Sequence, residues 1–102
     1  MAEHRQFGRS NIDVPLTFMV RGKPELHEGR GRDLSIGGMF IETSTPAPFN
    51  SDLDIMVVLP GAAETSTLPA RVRWERDGGM GVQFGLLGAR ETHLIAKLAR
   101  PK

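Results

Sequence analysis

Cysteine and tyrosine are absent from these 102 residues, and tryptophan occurs once. Without cysteine there is no disulfide framework and no thiolate metal site, which fits a reducing compartment. No apolar stretch approaches the roughly 20 residues of a spanning helix, and no basic start runs into the apolar segment of a signal peptide. The chain is therefore expected to be cytoplasmic, with no membrane insertion. A net charge of only +1 argues against a protein that coats DNA or RNA. Single-stranded nucleic acid would call for exposed aromatic platforms, and here the aromatic residues fall mostly at inward positions of predicted strands. The signatures of catalysis are missing too: no Cys nucleophile, no G-x-S-x-G, no Walker-type loop and no H-E-x-x-H. His4, His27 and His93 lie in three separate elements with no spacing that pairs them with carboxylates. No catalytic residue, metal site or cofactor is expected, and the chain does not read as an enzyme.

What is present is an ordinary globular composition, 39% apolar and 25% charged, on a length that suits one domain. The cations are unusual in kind. Ten of the thirteen are Arg, the side chain that forks onto phosphates and onto the O6/N7 edge of guanine.

Along the chain, residues 1–11 have little periodicity and read as a flexible N-terminal arm, with Phe7 their only large apolar group. From 12 onward the pattern is that of short strands. Asp13–Val20 alternates with Val14, Leu16, Phe18 and Val20 on one face. Pro15 lacks an amide donor, which predicts an edge strand or a strand start there. His27–Leu34 is a more polar strand, broken by Ser35-Ile36-Gly37-Gly38. Met39–Thr43 follows, then Asp52–Leu59 with Leu53, Ile55, Val57 and Leu59 facing one way. Thr67–Arg76 alternates strictly, which predicts one buried face made of Leu68, Ala70, Val72 and Trp74. Asp77-Gly78-Gly79 is a hairpin signal, and Met80, Val82 and Phe84 line the next strand. Residues 89–100 switch to helical spacing, with Leu94, Ile95 and Leu98 in one stripe. Six strands and a terminal helix predict a mostly all-β domain: a small six-stranded antiparallel β-barrel over 12–102, with a C-terminal α-helix packed on it.

Two motifs carry chemistry. Arg5-Gln6-Phe7-Gly8-Arg9 sets two guanidiniums four residues apart. Asp33-Leu34-Ser35-Ile36-Gly37-Gly38 offers a carboxylate, a hydroxyl and backbone amides within six residues. Arginine forks suit phosphates. A carboxylate accepts from the N1–H and N2–H of guanine, and Gly37 and Gly38 allow a tight turn or a close approach. Each motif has a plainer reading. Asp-x-Ser before two glycines is also an Asx or Ser turn, and two arginines in an arm can simply be solvated.

In this order RxxxR followed by DxSxxG resembles the signature of the PilZ domain, and the resemblance extends to Arg71-Val72-Arg73-Trp74 and Gly81-Val82-Gln83-Phe84. It implies a barrel with the arm wrapping its outer surface to clamp cyclic di-GMP, a bacterial second messenger. It also implies Arg5, Arg9, Asp33, Ser35 and Gly38 as ligand-binding residues. On that basis the chain is expected to be a cyclic di-GMP receptor that signals through an unidentified protein partner. The alternative is a PilZ-like adaptor that binds no nucleotide and acts by protein–protein contacts. Many members carry two arginines at the first motif position. Here His4 precedes Arg5 and, neutral at pH 7, cannot fork onto a phosphate, which leaves one bound ligand or a stacked pair open. In some members an aromatic on the penultimate strand touches the ligand. Trp74 matches that place, although the alternation assigns it to the core.

Overall fold

The computed structural model describes residues 9–76 and 78–99, with Arg9 and Ser10 described by their backbone. In chain order the strands are β1 (Arg9–Ser10), β2 (Val14–Val20), β3 (His27–Arg32), β4 (Leu34–Ser35), β5 (Gly38–Glu42), β6 (Asp52–Val57), β7 (Ser66–Arg76) and β8 (Gly79–Phe84), followed by helix α1 (Ala89–Leu98). Six of them close into an antiparallel barrel in the order β2-β3-β5-β8-β7-β6, with β6 pairing back onto β2. Closure leaves no barrel strand with a free edge.

The predicted alternation fills the barrel. Leu16 and Phe18 of β2, Met39 and Ile41 of β5, Leu53, Ile55 and Val57 of β6, Leu68, Ala70 and Val72 of β7, and Met80 and Val82 of β8 form one buried cluster. Each fully buried Val, Leu, Ile, Phe or Met contributes about 1.5–3 kcal/mol. Helix α1 turns its predicted stripe inward, with Ile95 buried and Leu94 and Leu98 packed beside it. It lies against β4, whose Leu34 is fully buried.

Of the two alternatives for Pro15 the strand start fits and the edge does not: β2 begins at Val14 and is paired on both sides, and its ladder with β6 begins only at Leu16, after the proline. Two expectations need correction. The polar strand predicted through Leu34 ends at Arg32, since Asp33 adopts a left-handed φ of 52° and separates β3 from β4. Trp74 is not core: it is 45% exposed. Val72 faces Val82 but Trp74 faces Gly81, so Arg73 is an extra residue opposite a single step of β8. This β-bulge shifts the alternation by one and turns the indole outward.

Candidate functional site

The second motif folds as a corner pinned to the barrel. Asp33 takes the left-handed conformation that Asp tolerates better than most side chains. Two residues of strand follow. The Ser35 hydroxyl then donates to the Gly38 carbonyl at 3.3 Å, and Phe84 N–H donates to the Gly37 carbonyl at 2.8 Å. Gly38 is buried, and its φ is not positive. A β-carbon there would overlap the Val82 carbonyl oxygen, so the glycine is required by close approach of two barrel strands. Gly37 has open space around it.

The first motif meets the second through backbone pairing. β1 and β4 form a separate two-stranded antiparallel ladder in which Arg9 is partnered with Ser35 and Ser10 with Leu34. The stretch read as an irregular arm thus ends in a short strand laid on the DxSxxG corner. Arg5, His4 and the rest of the arm through Gly8 lie outside the described residues.

The outer barrel face beside this corner is aromatic and cationic. Phe40 on β5 and Trp74 on β7 both face Gly81 of β8, one from each side. Their rings stack with centroids 5.5 Å apart and planes 19° off parallel. The Arg76 guanidinium lies over both, 5.1 Å from the Phe40 centroid and 4.9 Å from that of Trp74. A groove of about 480 Å³ runs between this cluster and Asp33. Nearby, Arg32 pairs with Glu42 at 3.2 Å and Arg30 with Asp13 at 2.6 Å. Those cations are already engaged on the sheet surface, and the Arg30 hydrogen bond holds the Asp13 carboxyl below its ordinary pKa. A larger groove of about 930 Å³ follows the outside of β2 past Pro15, Thr17 and Val58. It contains no motif residue, so chemistry rather than volume selects the corner at Asp33 as the candidate site. Among the described residues, no cluster of His, Asp and Glu could hold a metal. Nor is any helix there long and apolar enough to cross a membrane.

Comparison with known proteins decides the family, since a PilZ domain model matches residues 3–100. The chain belongs to the PilZ domain family. It is 35% identical over 80 residues to the cellulose synthase catalytic subunit (UDP-forming) of Xanthomonas axonopodis pv. citri, a match covering 78% of this chain and 11% of that one. The chain therefore spans about a tenth of that relative's length. Among solved structures it resembles the PilZ domain of CeSA from a cellulose-synthesizing bacterium, with a TM-score of 0.72 and 24% identity over 89% of this chain and 93% of the other. It also resembles the PilZ domain of YcgR from Escherichia coli, solved with c-di-GMP. That match has a TM-score of 0.69 and 14% identity over 95% and 89% of the two chains.

Within the PilZ barrel, sequence reasoning missed Phe40 and Arg76. The signal that could have found them is Gly79-x-Gly81. Gly79 also belongs to the Asp77-Gly78-Gly79 hairpin signal, and Gly78, with φ of 88°, does serve that turn. Gly79 and Gly81 instead lie within β8, where a β-carbon at Gly81 would run into the Trp74 ring and one at Gly79 into the Ile41 carbonyl oxygen and the Phe40 ring. Glycine at alternate positions inside a strand marks a surface on which something lies flat.

Proposed function

We propose that this PilZ domain is a non-enzymatic receptor for cyclic di-GMP that passes its binding state to a protein partner. The observation that carries this reading is the β1–β4 ladder, which sets Arg9, the last residue of RxxxR, opposite Ser35 of the DxSxxG corner. In the proposed complex Arg5 and Arg9 fork onto the phosphates and the guanine edge, where charge-assisted bonds are about twice as strong as neutral ones. Asp33 and Ser35 take the donors of a base, and Gly38 keeps the corner tight against β8. The likeness to a PilZ domain solved with c-di-GMP supports the ligand.

The adaptor reading has an observation of its own. Ile36, inside the DxSxxG turn, is 54% exposed, and Leu86 on the far side of a small groove is 95% exposed. Such apolar exposure beside the corner suits a protein contact.

Isothermal titration with cyclic di-GMP separates the two. A receptor gives saturable heat, and Arg9→Ala then costs about 2–5 kcal/mol of binding, the range for truncating one partner of a hydrogen-bonded charge pair. The barrel should melt as before, since Arg9 lies outside it. Arg9→Lys should weaken binding as well, because a point charge does not replace a fork. An absence of heat with the unmodified protein would leave the adaptor.

A further inference from the structure

The outer face of β5, β8 and β7 is built around a stack that burial does not explain. Trp74 lies over Gly81 and Phe40 over Gly79, their rings stacked, and no β-carbon could be accommodated at Gly81 without displacing the indole. Trp74 nonetheless stays 45% exposed, so this arrangement leaves an aromatic surface open to solvent. The bulge at Arg73 makes it possible, since without that extra residue the indole would point into the core. Arg76 completes the cluster. It is exposed, and its guanidinium rests over both rings. Contact with two ring faces restricts the rotamers of a long side chain, so less freedom is lost when its fork engages a ligand.

Across the groove from this cluster stands Asp33. A planar base entering there meets the part of Trp74 left exposed beside the Arg76 guanidinium, an aromatic surface on which to stack. It also meets a fork donor and a carboxylate acceptor. Guanine satisfies the last two together, with acceptors at O6 and N7 and donors at N1 and N2. Adenine keeps N7 but presents a donor at N6 where guanine presents O6.

We propose that Arg76, held on the Phe40–Trp74 stack, is a specificity-determining residue that forks onto the O6/N7 edge of one guanine of the ligand. This rests on the receptor reading above and adds to it a cation from β7, separate from both motifs.

The test is calorimetric titration of the protein and of Arg76→Ala and Arg76→Lys with cyclic di-GMP and with cyclic di-AMP, followed in parallel by emission from Trp74, the chain's single tryptophan. Cyclic di-GMP should alter Trp74 emission in the unmodified protein. Arg76→Ala should lose about tenfold or more of the preference for cyclic di-GMP over cyclic di-AMP, as expected for one bidentate base contact, and Arg76→Lys should not restore it. Binding with unchanged emission, or Arg76→Ala retaining the full preference, overturns the proposal and leaves the receptor reading standing. An equal loss for both dinucleotides that lysine rescues means that Arg76 supplies only charge, which overturns it too. No binding of cyclic di-GMP by the unmodified protein removes the receptor reading and this proposal together.

Discussion

Gly38 and Val82 approach so closely across β5 and β8 that a β-carbon on the glycine would overlap the valine carbonyl oxygen. The neighbour to be displaced is backbone in a closed barrel and cannot swing aside. Gly38→Ala should therefore destabilise the domain by about 3 kcal/mol, at the upper end of overpacking costs. Gly37→Ala is the control. Open space surrounds Gly37 and its φ is not positive, so it should stay within about 0.5 kcal/mol of the parent. Urea unfolding of the two variants tests the contrast. Equal midpoints would show that the barrel wall yields at Gly38.

Asp33 combines a left-handed backbone with a carboxylate at the candidate site. The two demands can be separated by substitution. Asn tolerates the conformation but carries no charge, whereas Ala pays the left-handed penalty. Asp33→Asn should be more stable than Asp33→Ala by about 1 kcal/mol while binding cyclic di-GMP about tenfold or more weakly than the parent. Melting curves and a titration of each variant read the two effects apart. Parent-like affinity in Asp33→Asn would reduce Asp33 to a corner residue.

Acid sensitivity should reside partly in the β6–β7 ladder. Arg71 donates to Asp52 across that ladder at 2.9 Å. This hydrogen bond lowers the Asp52 pKa, with the charges of Arg71 and Arg21 acting in the same direction and partial desolvation opposing them. A carboxylate whose folded pKa is depressed contributes stability above its unfolded value of about 3.9 and loses it as pH falls through the folded value. Asp52→Asn should thus melt slightly below the parent at pH 7, and the two curves should converge in acid. The pair is half-exposed, so the difference should be small and shrink with salt. A gap that widens on acidification would contradict the assignment.

Ser66 is 1% exposed, and its hydroxyl has no hydrogen-bond partner among the described residues. A buried hydroxyl without a partner carries its desolvation cost uncompensated. Ser66→Ala removes the oxygen and almost no volume. It should raise stability by about 1 kcal/mol, measured as an upward shift of the unfolding midpoint with an unchanged denaturant slope.

The amino-acid order alone determined the barrel. Leu53, Ile55 and Val57, or Leu68, Ala70 and Val72, can be buried together only on one face of a strand, because side chains alternate with a period of two. The glycines and prolines between such runs set where strands end, and Leu94, Ile95 and Leu98 could share a face only on a helix. The two motifs were likewise legible, because their spacing is a property of the chain. Trp74 was misread because the same rule holds only while the register does. The extra residue at Arg73 costs the strand nothing visible in its alternation, and it becomes a bulge only against β8, where Gly81 leaves room for the indole. The requirement for glycine at position 38 also arises between strands, from a carbonyl 44 residues away in the chain. Phe40, Trp74 and Arg76 come from two strands that never pair directly, and they meet across the glycines of β8 that lies between them. Periodicity describes one strand at a time. The contacts that shape this site are made through space between strands, and only the closed barrel decided them.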